Sequence, residues 1–280
     1  MKKIVVVLFF LLNFSTSWGG GGWPQAKGSA YYKLGQNWII ADSFYGPSGE
    51  IVDIRTTSLY TTSLYGEYGI TKRLTAIVYL PLFVRNTLNE ERYSPSGTVI
   101  PGEALNSVGD TDVSFKFGLI VDKPIVLSAT LLFGLPLGKT SGGEGGILQT
   151  GDGEFNQMIR FDVSGSLHPT PLYGSAYVGF NNRTKDFSDE IRFGAEVGYT
   201  LFEKLTAIAK LNVVQSLYNG NDATAENGIF SNNTEYVSPL IEVGYQFTEK
   251  WGASLSGGFA FSAKNILASP SYGIGLYGKF

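Results

Sequence analysis

The sequence predicts an all-β fold: a transmembrane, antiparallel, up-and-down β-barrel of about twelve strands, with both termini on the periplasmic side. Three observations point there. Apolar and polar residues alternate over stretches of about ten residues, five short turns alternate with six longer loops, and no segment beyond the N-terminus holds the roughly 18 consecutive apolar residues of a membrane helix.

The chain opens on Lys2 and Lys3, an apolar run from Ile4 to Leu12, and the small polar residues Ser15, Thr16 and Ser17. A basic start, a short apolar stretch and a small-residue exit read as a secretory signal peptide over 1–17, cleaved near Ser17 or Gly19. Residues 18–25 then form a short periplasmic segment, too short to fold as a hatch, and 26–280 the barrel. With Lys2 and Lys3 removed, the net charge goes from −3 to −5. A nucleic-acid partner calls for a basic face, so that class is excluded. The chain has no cysteine, which fits an oxidising compartment and rules out lipidation through that residue.

Strands follow from period two. In Asp110–Leu119, the residues Asp110, Asp112, Ser114 and Lys116 share one face, opposite Thr111, Val113, Phe115, Phe117 and Leu119. Asn156–Leu167 and Glu190–Leu201 repeat the pattern. About ten residues is the length of a tilted membrane strand, whereas soluble sandwiches use roughly 5–6.

Turns come from an internal repeat: YGITKRLTA from Tyr68, YTLFEKLTA from Tyr199 and YQFTEKWGA from Tyr245, each with a charged pair at its tip. VDKP from Val121 and HPTP from His168 supply two more. Between them lie glycine-rich, polar loops: Asp42–Thr56, Asn86–Gly109, Lys139–Gly153, Asn181–Asp189, Leu217–Asn233 and Ala263–Pro270. Short periplasmic turns, long external loops and an even strand number are the grammar of outer-membrane barrels. Tyr68, Tyr199, Tyr245, Phe247 and Trp251 fall beside the short turns on the apolar face, as a membrane girdle requires. The last strand alternates outward Tyr272, Ile274, Leu276 and Phe280. A terminal outward Phe280 resembles the signal read by the barrel-assembly machinery, although Gly278 stands where an aromatic is common. Pro81, Pro136 and Pro239 lie within expected strands, and a closed barrel has no edge to spare for a missing N–H. They are read as bulges, or as strand parts rising above the membrane.

The segments GDTDVSFKFGL from Gly109, TGDGEFNQ from Thr150, YVGFNNR from Tyr177 and EIRFGAEVGYTL from Glu190 resemble the outer-membrane proteins labelled "MetA-pathway of phenol degradation". The resemblance extends from about Trp23 to the C-terminus. It implies a small-molecule channel or transporter with apolar or aromatic compounds as its cargo, and transfers no binding residues.

Catalytic and metal motifs are largely missing, so no enzyme, cofactor or metal site is expected. The sole histidine, His168, sits in a Pro-flanked periplasmic turn, away from where a barrel hydrolase needs its base. GLPLGKT from Gly134 is similar to a phosphate loop, but Phe133 stands at the first glycine position. GGEGG from Gly142 and GNDATAENG from Gly220 read as solvated loops rather than calcium sites, and Asn182–Thr184 matches a glycosylation pattern without meaning in this compartment.

The alternation assigns Glu67, Arg85, Asp110, Asp112, Lys116, Arg160, Asp162, Arg192, Glu196, Lys210, Glu242 and Lys279 to the barrel interior. Facing lipid, a basic residue costs about 2–4 kcal/mol near the midplane, which enforces this sorting. Charges of both signs suit a polar pore with opposed walls, and equally an ion-pair network filling the lumen. Two functions therefore stand: an outer-membrane channel for small molecules, or a structural barrel with a plugged lumen that acts through its loops. Either one sits in the outer membrane of a Gram-negative bacterium, among its lipid and lipopolysaccharide.

Overall fold

The structure is a computed structural model that describes residues 21–221 and 229–280. The expected signal peptide (1–17), residues 18–20 and most of the GNDATAENG loop lie outside the described residues. Twelve staves close the barrel. They are β1 (Ala30–Tyr45), β2 (Ile51–Gly69), β3 (Leu74–Leu88), β7 (Thr111–Ile120), β8 (Ile125–Leu135), β9 (Asn156–Ser166), β10 (Leu172–Arg183), β11 (Glu190–Leu201), β12 (Leu205–Ser216), β13 (Glu235–Gln246), β14 (Trp251–Gly258) and β17 (Ser271–Lys279). Short pieces decorate the external rim: β4 (Glu91–Arg92), β5 (Val99–Ile100), β6 (Glu103–Ser107), β15 (Phe261–Lys264) and β16 (Ile266–Leu267). Each stave pairs antiparallel with its chain neighbours, and β1 pairs with β17 to close the ring. Closure leaves no strand edge, so every backbone group at membrane depth finds its partner within the wall.

The outward face is apolar over most of its area, with Gln36 and Thr62 hydrogen-bonded to each other within it. Phe115, Phe117, Leu131, Ile159, Phe161, Val178, Phe193, Val197, Ile241, Leu255 and Ile274 are all exposed. A water-soluble monomer does not display a continuous apolar belt of that extent, and lipid is the solvent it fits. Tyr68, Tyr199, Tyr245, Phe247, Trp251 and Phe280 are also exposed. Trp251 and Phe280 meet edge to face at 5.5 Å.

The repeat seen in the sequence is a repeat of hydrogen bonds. In the turn after β2, Ile70 N and Thr71 N both donate to Leu74 O, and Thr71 Oγ1 accepts from Leu74 N at 2.9 Å. After β13, Phe247 N and Thr248 N both donate to Trp251 O, with Thr248 Oγ1 accepting from Trp251 N at 2.9 Å. The third copy has Phe202 where the others have threonine. Lacking the hydroxyl acceptor, it turns instead through positive φ at Phe202 and Glu203.

Parts of the sequence reading are revised by the structure. The loop expected over 42–56 is mostly strand. Phe44 pairs with Val52 and Tyr45 with Ile51, so aromatic and β-branched side chains carry the hairpin beyond the membrane to a tip at Gly46–Glu50. The loop expected over 181–189 is likewise shorter, because Asn181, Asn182 and Arg183 complete β10.

Arg85 does not share the interior face. Ser63 pairs with Pro81 and Thr62 with Phe83, which leaves Leu82 as an extra residue. The bulge shifts the phase by one, burying Val84 and Asn86 and turning Arg85 to the exposed side, where it donates to Asn106 Oδ1 at 3.1 Å.

The prolines sit where the ladder is already broken. Pro81 faces the gap between β6 and β7, its carbonyl accepting from Gly109 N at 2.9 Å. Pro239 faces the break between β14 and β15, and Pro136 follows the end of β8. At each of these places a missing N–H leaves no partner orphaned.

Candidate functional site: the barrel interior

The inward residues of the staves surround a cavity of about 460 Å³. Its lining combines Tyr31, Tyr65, Tyr79 and Tyr177 with Lys33, Arg160, Lys210, Glu196 and Glu242. They converge because each stands at an inward position of its stave, four to nine residues from the external end of a membrane-length strand or further down the long β1–β3 hairpins.

Charges here are paired. Lys33 on β1 and Lys210 on β12 both reach Glu242 on β13, Lys210 at 3.2 Å, and Glu196 lies 4.0 Å from Lys210. Arg160 donates through Nε to Asp162 Oδ1 at 2.9 Å and lies 4.0 Å over the Tyr177 ring. The Tyr177 hydroxyl continues to Asn212 Oδ1 at 3.0 Å. Asp162 is fully buried, and its second oxygen has no hydrogen-bond partner. Nearer the periplasm, Lys279 donates to Gln246 Oε1 at 3.1 Å. Asp112 lies on the Lys116 face of β7, half-buried.

Of the segment expected at the periplasm, the described part (21–25) enters the barrel, while 26–28 stay exposed beside the end of β2. Gly21–Gln25 runs inside the barrel as a strap that crosses its periplasmic third. Gly22 N donates to Ser164 Oγ at 2.7 Å, Gln25 N to Thr75 Oγ1 at 2.8 Å and Gln25 Nε2 to Glu67 Oε2 at 2.7 Å. Lys116 Nζ donates to Gly21 O at 2.8 Å, and Trp23 packs edge-on to Tyr173 at 5.7 Å. These partners come from β2, β3, β7, β9 and β10. Glycine is required by space: a Cβ on Gly21, whose φ is +67°, would stand 2.9 Å from Ser175 Oγ. Two neutral hydrogen bonds contribute about 0.5–1.5 kcal/mol each and two to charged groups about 1.5–3. Ordering five residues costs about 1–2 kcal/mol apiece. The two amounts are comparable, and the packing of Trp23 on Tyr173 tips the sum toward the seated strap.

The external mouth is built differently. The loop over 136–155 folds across it and buries Leu148 against Leu88 and Leu105. Asn86 Nδ2 donates to Gln149 O at 3.0 Å, and the Asp110 carboxylate accepts from Gly138 N and Asp152 N, both at 2.8 Å. At the loop's far end, buried Arg183 reaches Glu154 at 2.8 Å, Asp152 at 2.8 Å and Glu190 at 3.0 Å. Arg192 adds a second guanidinium on Glu190 at 2.6 Å. Burial raises the Asp152 carboxyl to about 6, partly offset by Arg183, with Asp110 adding to the rise. Glu154 is raised by the same burial.

Of the interior set read from the sequence, Lys116 and Glu67 meet the strap. Arg160, Asp162, Glu196, Lys210 and Glu242 lie at or beside the cavity, while Asp110 and Arg192 belong to the mouth. Sequence reasoning missed Lys33, whose inward phase with Tyr31 and Gly35 was readable. It also missed Arg183, read there as part of a loop triplet, and Asp152 and Glu154, which no alternation marks. His168 is exposed in its turn, and among the described residues no group of acidic or histidine side chains could hold a metal ion.

No family model matches the chain, and no curated protein does. Solved structures do. An outer membrane channel from Pseudomonas putida F1 superposes with a TM-score of 0.69 at 16% identity, over 94% of this chain and 100% of that one. The chain has the fold of an outer-membrane barrel. The NanC porin aligns at 0.55 with 11% identity, over 89% of this chain and 100% of that one. The NalP autotransporter translocator of Neisseria meningitidis aligns at 0.50 with 10% identity, over 91% and 89%.

Proposed function

We propose that the chain is an outer-membrane channel for small molecules in a Gram-negative cell, and not an enzyme. The observation that carries this reading is the cavity. A barrel serving only as a wall packs its interior with side chains, whereas here about 460 Å³ stays free between the strap and the mouth loop. That volume is in the range of small-molecule sites. The resemblance to the MetA-pathway family supports the same reading and its aromatic cargo, for which four tyrosine rings supply faces. The paired charges beside them favour cargo that also carries hydrogen-bonding groups. Phe280, exposed beside Trp251, is the residue offered to the assembly machinery, and the girdle aromatics meet the lipid and lipopolysaccharide.

The plugged-barrel reading rests on the pairs that cross between non-adjacent staves, Lys33 with Glu242 above all. Planar-bilayer recording of refolded protein decides between them. A channel conducts, and replacing Arg160 and Lys210 together by serine shifts its selectivity toward cations. A barrel that never conducts, and whose melt collapses in that double variant, is the plugged one.

A further inference from the structure

The charges of the cavity balance in number and not in what they show to the lumen. Lys33, Lys210 and Arg160 expose 24%, 28% and 29% of their side chains, whereas Glu242, Glu196 and Asp162 expose 14%, 16% and 0%. Two of the carboxylates are also occupied. Glu242 holds Lys33 on one oxygen and Lys210 on the other, and Asp162 Oδ1 accepts from both Nε and Nη2 of Arg160. The cations keep donors to spare. Among the described residues each ammonium makes one hydrogen bond with its three protons, and Arg160 commits two of its five.

The fold places Lys33 for this. It reaches Glu242 on β13 across β17 and β14, which stand between β1 and β13 in the ring. Gly275 on β17 clears the path, since a Cβ there would stand 2.5 Å from Lys33 Cε. Tyr31, Tyr65, Tyr79 and Tyr177 line the same cavity, and Arg160 lies over the Tyr177 ring.

We propose that this cavity is an oxyanion site for small carboxylates with a flat apolar body. The carboxylate sits among Lys33, Lys210 and Arg160, and the body lies on the tyrosine rings. This rests on the channel reading above and names its cargo. Ammonium and guanidinium donors to a carboxylate make the stronger class of hydrogen bond, and tyrosine faces take up a flat apolar group. A cationic solute of the same size meets like charge at the most open positions.

Refolded protein in detergent is titrated calorimetrically with benzoate, benzyl alcohol and benzylammonium, and the same samples are recorded in planar bilayers. Benzoate is expected to bind about tenfold more tightly than benzyl alcohol, the difference that one charge-assisted hydrogen bond makes, and benzylammonium most weakly. Lys33→Gln and Lys210→Gln each leave Glu242 one lysine. Each is expected to weaken benzoate about tenfold and to keep benzyl alcohol within about twofold. Heat-modifiable gel mobility reports which variants fold, and the three-probe comparison in wild type decides even where one does not. Benzoate held no more tightly than benzyl alcohol, or wild-type benzoate affinity in a folded variant, overturns the site. If wild type conducts all the same, the channel reading stands. Binding as expected in a barrel that never conducts keeps the site and overturns the channel reading.

Discussion

The two ends of the lumen are narrowed by segments outside the wall, and they are held in opposite ways. At the periplasmic end, the strap leans on two hydroxyls, the Glu67 carboxylate and the Lys116 ammonium, with hydrogen bonds of 2.7–2.8 Å. At the external mouth, the loop over 136–155 is bound to Arg183 through two of its own carboxylates, with Glu190 as a third partner. Two of the strap's four hydrogen bonds are neutral and trade readily with water, and Glu67 keeps the Tyr65 hydroxyl as a donor if Gln25 is withdrawn. A buried guanidinium ringed by three carboxylates cannot lose one member without stranding charge in a place of low dielectric. The mouth, with its three carboxylates on one buried guanidinium, is therefore the more firmly held of the two ends.

The largest effect expected from breaking this contrast is at Arg183. Arg183→Met strands Asp152, Glu154 and Glu190, and should lower stability in denaturant by about 3–5 kcal/mol. Gln25→Ala, at the strap, should cost well under half of that, because Glu67 keeps the Tyr65 hydroxyl as donor. Equal losses in urea titrations of the two variants would erase the distinction between the ends.

The wall between them supplies the next test. Phe161, exposed halfway along β9, should cost about 2–4 kcal/mol when changed to arginine. A folded, fully stable Phe161→Arg barrel would mean that this face does not meet lipid.

A pH titration sharpens the account of the mouth. Burial lifts the Asp152 carboxyl from its ordinary 3.8 to about 6, so the fold favours its protonated form. The stability this contributes is complete below about 4 and is lost as pH rises through about 6. Wild type should melt at a lower temperature at pH 7 than at pH 5, and Asp152→Asn should flatten that slope. A steeper slope in the variant would contradict the assignment. The smallest effect belongs to Arg85. Exposed at the outer end of β3, it should lose less than about 0.5 kcal/mol as Arg85→Ser, measured by the same denaturant series.

Much of this was legible beforehand, because alternation is a local property: a strand with lipid on one side and a polar lumen on the other must repeat every two residues. Hence Phe117 faces out and Lys116 in, from the sequence and in the structure alike. The threonine turns were legible for a similar reason, since their hydrogen bonds close within four residues.

The sequence by itself therefore determined the class, the strand number and the facing of most staves, all of which depend on neighbours in the chain. Only the tertiary structure decided what crosses the lumen. Gly22 and Ser164 stand 142 residues apart, and Arg183 gathers Asp152 and Glu154 from a loop without alternation and Glu190 from the start of β11. It also decided Arg85, since one extra residue at Leu82 reverses every facing beyond it. Period two carries no signal of its own interruption, and contacts across a barrel depend on closure of the ring, which no single strand encodes.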